Sequence, residues 1–331
     1  MKSEAKQFFA PQAWVAGAWA KDVLLGVAAD GRWSQIQPNA SAQQQAAATR
    51  LGGPVLPGVV NAHSHAFQRA IVGLTERRST GAALADDFWS WRDRMYAAAN
   101  CITPEQMETI ASQLYAELLA GGYTQVCEFH YLHNAIAGSP YAKAAEMSLA
   151  LVRAAQRTGM GLTLLPTLYM RAGFSESGLR HDQRRFASTP DSIARIVEDV
   201  QRHAAGDARI NVGVAIHSLR AVHPAALKEL AAYAHSAGLP VHIHIAEQTQ
   251  EVDDCLVHTG QRPIEWLLNH ADVDKRWNLV HATYTTPDEL WGVQARGASI
   301  VICPATEANL GDGVFDLPGY AKEHGTWSIG S

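Results

Sequence analysis

Short apolar, β-branched runs recur along the chain at 55 to 62 (VLPGVVNA), 124 to 131 (TQVCEFHY), 161 to 169 (GLTLLPTLY) and 210 to 217 (INVGVAIH), and again at 239 to 246 (LPVHIHIA), 277 to 282 (WNLVHA), 298 to 303 (ASIVIC) and 326 to 330 (TWSIG). Each has the length of a buried strand and is bounded by polar or turn-forming residues. Between them, stretches such as 104 to 119 (PEQMETIASQLYAELL) and 224 to 237 (PAALKELAAYAHSA) repeat their apolar positions every three to four residues, the spacing of an amphipathic helix. Strands that alternate with helices lie parallel, and eight of them fit a closed (β/α)8 TIM-like barrel better than an open sheet. The open, dinucleotide-binding alternative lacks its G-x-G-x-x-G opening a helix.

The first 55 residues have another texture: QAWVAG and DVLLGVAADGRWSQIQP predict short strands with an Asp30-Gly31 turn, and ASAQQQAAATR predicts a linker. The expected organisation is a small β-domain over 1–55 and a barrel over 56–331.

Composition narrows the function. With 47% hydrophobic and 18% charged residues in 331, the chain can bury a large core. Its 27 basic and 32 acidic side chains give a net charge of -5, and no Lys/Arg block exceeds a pair, which argues against a nucleic-acid partner. The pairs Arg77-Arg78 and Arg184-Arg185 read as solvated loop charge. Four scattered cysteines without a C-x-x-C suggest neither a disulfide framework nor a thiolate metal site, and fit reduced thiols in a cytoplasm. No stretch is long and apolar enough for a leader or a membrane span, so a soluble, unexported protein is expected; a homodimer is left open.

Among 15 histidines, His63 and His65 sit two apart where the first strand should end, so both can face a barrel mouth. One H-x-H is more often a packed or surface pair than a metal site. Three later strands also end in histidine, however: His242 and His244 with Glu247 after the fifth, His281 on the sixth and His217 on the fourth. That concentration favours a metal site built from imidazoles. His130 and His133, three apart, do not share a strand face and read as wall residues. Cys303 reads as a buried thiol, and Glu307, Asn309 and Asp312 as candidates to line the pocket at the barrel mouth, with a Gly-Asp-Gly turn as the structural explanation of Asp312.

The segments PGVVNAHSH, HIHIAE and LVHA resemble the amidohydrolase superfamily of metal-dependent (β/α)8 hydrolases, in its deaminase branch. NAHSHAFQRA, FWSWRDRMY, HSLRAV and CPATEANLGDG resemble the formimidoylglutamate deiminase family of that branch, over the whole chain. The resemblance implies one zinc ion on His63, His65 and His244, with His242 directed away or packed nearby. It implies Glu247 as proton shuttle between the attacking water and the substrate nitrogen, and His281 as stabiliser of the tetrahedral intermediate. The implied reaction is hydrolytic deimination of N-formimino-L-glutamate to N-formyl-L-glutamate and ammonia, in histidine breakdown. Such a dicarboxylate substrate calls for a cation, and Arg220 is suited to a bidentate grip. By resemblance His217, Gln68 and Tyr131 assist it, although Gln68 also reads as opening a helix and Tyr131 as a packed aromatic. Arg92 and Arg94 are candidates for the second carboxylate, or surface charges of an amphipathic helix.

The resemblance also places an Asp at the end of strand eight, as zinc ligand and proton acceptor, directly after Ser331. The expectation is therefore a barrel incomplete after strand eight, lacking its last helix and the closing β segment, with exposed apolar surface and little turnover from these residues alone. Two alternatives stand: a deaminase of a guanine-like or other cyclic amidine, and an inactive metal-binding homologue.

Overall fold

A computed structural model of the chain describes residues 5 to 29, 31 to 75 and 88 to 331, so Arg77, Arg78 and Asp30 of the expected turn lie outside the described residues. The chain divides into a unit ending at Val59 and a second from Val60 to Ser331.

In the first unit, β1 (Lys6–Val15) and β2 (Ala18–Val27) form an antiparallel hairpin, with Val15 opposite Ala18. Its two-residue turn places Ala16 at φ 50 and Gly17 at φ 84, the paired left-handed conformation that matches strand twist. β3 (Trp33–Gln37) pairs with β2, and β4 (Thr49–Arg50) joins the other edge of β1, in the order β3-β2-β1-β4. Ala10, Ala13, Val23 and Leu25 form its buried core. The stretch expected to be a linker instead folds as a helix, α1 (Ala42–Ala47), followed by β4. Ser41 and Gln44 cap it reciprocally, and a capping box ahead of Ala and Gln makes a short helix favourable.

The second unit is a nearly closed barrel of parallel strands: β5 (Val59–Ser64), β6 (Tyr123–His130), β7 (Gly161–Leu168), β8 (Ile210–Val212) continued by β9 (Val214–Ile216), β10 (Val241–Ile245), β11 (Trp277–His281), β12 (Ser299–Ile302) and β13 (Thr326–Ile329). The strand expected at 210 to 217 is split at Gly213, where a Cβ would lie 2.7 Å from the Pro240 carbonyl oxygen and 2.8 Å from Leu165. Only a glycine permits that approach. Beyond β13, the Ser331 N–H donates to the His63 carbonyl at 2.8 Å, bridging the two ends of the strand order.

Helices α2 (Phe88–Ala99), α3 (Pro104–Ala120), α4 (Glu146–Thr158), α5 (Pro190–His203), α6 (Pro224–Ser236), α7 (Thr249–Thr259), α8 (Pro263–His270), α9 (Pro287–Ala295), α10 (Pro304–Leu310) and α11 (Leu317–Lys322) connect the strands. α5 shows the local logic: Thr189 and Ser192 cap its start, Pro190 fills a position needing no N–H donor, and Ile193, Ile196, Val197 and Val200 are its buried face. Burying each of these side chains contributes about 1.5–3 kcal/mol. Arg185 departs from the solvated reading of its pair. It is fully buried, donating to the Asn134 carbonyl at 2.9 Å and to that of Ala99, so it ties the segment after β6 to the end of α2 from inside. Among the described residues no helix is long and apolar enough to cross a membrane.

Candidate active site

β5 delivers His63 and, one residue past its end, His65; β10 delivers His244. Their ring nitrogens converge: His63 Nε2 lies 3.1 Å from His65 Nε2 and 3.0 Å from His244 Nε2. His65 Nδ1 faces the Phe129 carbonyl at 2.8 Å, so it carries the proton and Nε2 keeps its lone pair. Phe129 also stacks on His244, with centroids 4.3 Å apart. Burial, reinforced by the neighbouring imidazoles, holds His63 and His244 well below the usual imidazole range, and burial brings His65 to about 4. One proton on His63 Nε2 cannot satisfy two neighbouring lone pairs, and His63 Nδ1 is buried without a hydrogen-bond partner. Neutral imidazoles crowded in this way are the donor set of a divalent cation, and the residues fit one. His242 is buried two residues before His244 on the same strand face, so strand alternation sets it deeper in the barrel, and burial lowers it to about 3.

His281 closes β11 with its ring nitrogens within reach of the same point: donor atoms of His63, His244 and His281 all lie within 4.8 Å of one another. His281 Nε2 is 3.6 Å from Glu247 Oε1, and His281 Nδ1 is 3.1 Å from Glu307 Oε1. Burial opposes charge on this ring, but Glu247, Glu307 and Asp312 outweigh it, so the net shift is upward. Glu247 follows β10, and its N–H donates to Glu251 Oε2 at 3.1 Å. Burial pushes Glu251 up to about 7.

The other sequence-predicted residues line one cleft with this cluster: Gln68, Tyr131, His217 and Arg220, together with Arg92. Gln68 is carried by a short 3-10 turn after β5 and reaches the Tyr131 hydroxyl at 3.5 Å. His217 follows β9, with its ring 4.2 Å from that of Tyr169. Burial opposes charge on Arg220, but Tyr169, Glu251, Tyr96 and Glu247 outweigh it and the guanidinium stays charged. Arg94 is exposed on α2 and does not line the cleft. The Asp that the family resemblance sets after strand eight has no counterpart among the described residues, where Gly330 and Ser331 follow β13 and Ser331 lines the cleft.

Several contributors were not singled out in the sequence. Glu128 on β6 is buried, accepts from the Ala66 N–H at 2.5 Å behind the H-x-H turn, and is pushed by burial up to about 8. Trp91, Met95 and Tyr96 from α2 also line the cleft. Asp312, read as a pocket candidate or a turn residue, is fully buried and bonded to Gln248, and burial raises it to about 7. Glu307, read as a rim candidate, is 4% exposed beneath His281. Glu307 in a seven-residue helix and Asp312 just past it belong to no apolar period long enough to mark which carboxylate folds inward, and only tertiary closure brings them to the strand ends.

The amidohydrolase family matches residues 55–330. The formimidoylglutamate deiminase of Pseudomonas aeruginosa is 45% identical over 325 residues, covering 98% of this chain and 70% of that protein. The 8-oxoguanine deaminase of the same organism is 27% identical over 266 residues, covering 78% of this chain and 55% of its own length. A crystal structure of an amidohydrolase from Brucella melitensis superposes with a TM-score of 0.91 at 42% identity, covering 98% of this chain and 71% of that one.

Proposed function

The chain belongs to the amidohydrolase family and is a metal-dependent hydrolase of C–N bonds, and on that premise we propose that it deiminates N-formimino-L-glutamate to N-formyl-L-glutamate and ammonia, with zinc as its ion. The observation that carries this reading is the buried, charged Arg220 in the same cleft as the histidine cluster. A cation kept in a cleft wall favours an anionic substrate, and the guanidinium fork matches a carboxylate. The 45% identity to a formimidoylglutamate deiminase supports the same substrate.

His63, His65 and His244 would hold the ion. Bound there, it supplies Lewis acidity that makes water a competent nucleophile at neutral pH. The remaining chemistry belongs to side chains. Glu247, on the cluster side of the cleft, takes a proton from the attacking water and passes it to the formimino nitrogen, so that ammonia can leave. His281, held beside Glu247 and favoured in its charged form by the surrounding carboxylates, then carries a proton on each nitrogen, one toward Glu307 and one on Nε2 that it donates toward the oxygen gaining charge at the tetrahedral carbon. Arg220, helped by His217, Gln68 and Tyr131, grips the glutamate portion and aligns its formimino carbon with the cluster.

The 8-oxoguanine deaminase relative favours a second reading, a cyclic amidine substrate. A neutral ring would offer the buried Arg220 guanidinium no carboxylate to grip. Ammonia release by the full-length, zinc-loaded protein separates the two. N-formimino-L-glutamate should be turned over and guanine should not; turnover of guanine with no reaction of N-formimino-L-glutamate would overturn the proposal.

A further inference from the structure

We infer that Glu307 is a positioning residue that fixes the tautomer and orientation of the His281 ring. The inference deepens the deiminase reading and rests on it for its kinetic arm. Glu307 lies in α10, just after β12, and is 4% exposed. Its Oε1 accepts from the Cys303 N–H at 2.7 Å and faces His281 Nδ1 at 3.1 Å. Cys303 caps α10 without a side-chain hydrogen bond of its own, so the carboxylate anchors itself to the helix start independently of the histidine.

The ring needs such an anchor. His281 sits at φ 71 and Ala282 at φ 50, two consecutive non-glycine residues in the left-handed region. Residues hold that conformation only where their surroundings over-determine it. With Nδ1–H donated to Glu307, the other nitrogen of the ring faces Glu247 and the ligand cluster. Donor atoms of His281, Cys303 and Glu307 also fall within 4.8 Å of one another, the spacing of a possible second cation site. Glu307 Oε1 is already engaged there by the Cys303 N–H and the His281 ring.

Substitution separates an acceptor from a mere packing group. Glu307→Gln keeps an oxygen acceptor for both donors, whereas Glu307→Ala removes it. In the full-length, zinc-loaded protein, Glu307→Ala should lower kcat for N-formimino-L-glutamate about 100-fold with KM within about threefold, and Glu307→Gln should recover to within about tenfold of the parent. Nitrogen-15 NMR at alkaline pH should show the His281 proton on Nδ1 in the parent and lose that preference in Glu307→Ala. The inference is overturned by a parent proton on Nε2 or by unchanged kcat in Glu307→Ala. It is equally overturned if kcat falls only in step with bound metal and thermal stability, and Gln does no better. Should the parent release no ammonia, the deiminase reading fails, and the NMR arm still decides the tautomer.

Discussion

His63 Nε2 has two imidazole nitrogens within 3.1 Å, a crowding that neutral rings sustain around a shared cation. His244→Asn is therefore expected to lower bound zinc at least about tenfold in elemental analysis, and activity with it. At Arg220 the expectation differs in kind. Arg220→Met should raise KM for N-formimino-L-glutamate about 10- to 100-fold while leaving bound zinc unchanged, because it removes a charge-assisted grip and not a ligand. An unchanged KM would take Arg220 out of substrate binding. The ring residues were legible because a strand repeats every two residues: His63 with His65, and His242 with His244, announce themselves by spacing, whereas Glu247 was legible only through the family resemblance. Glu307 and Asp312 do not announce themselves, since nothing in ATEANLGDG distinguishes a carboxylate folded inward from one left in water.

Among the elements, the strand and helix pattern was readable wherever one face is buried and the period is regular, as in α3 and α5. It failed where a local signal outweighed composition: the capping box at Ser41 turns a polar Ala/Gln stretch into α1. It also failed where close approach breaks a strand, as at Gly213. Gly213→Ala forces a methyl against the Pro240 carbonyl, and should destabilise the barrel by about 1–3 kcal/mol in urea unfolding. Thr189→Ala removes the α5 cap and should cost about 1 kcal/mol by the same measurement. A Gly213 variant as stable as its parent would show that the gap between β8 and β10 can widen without cost.

At the scale of the whole molecule, stability should depend on acid. Burial lowers His133 to about 4, against the hydrogen bond it makes to the Thr167 carbonyl, and lowers His242 to about 3. An unfolded histidine titrates near 6.5, so below that pH the unfolded chain binds more protons than the folded one. The stability these neutral rings confer is complete above about pH 6.5 and is lost as pH falls toward 4. From pH 7 to pH 5 the loss should be about 2 kcal/mol for each ring, seen as a lower urea midpoint, and a flat profile would contradict the buried, neutral assignment. The barrel also unites β5 and β10, distant in the strand order, through His63 and His244, so saturating zinc should raise the melting temperature. The measurement that bears most directly on the chemistry is mass spectrometry of the product formed from N-formimino-L-glutamate by the full-length, zinc-loaded protein in oxygen-18 water. Hydrolytic deimination yields N-formyl-L-glutamate with one oxygen-18 in the formyl group and an equal amount of ammonia, and both should vanish in the His244→Asn protein. Unlabelled product, or free L-glutamate in place of the formyl compound, would contradict the account.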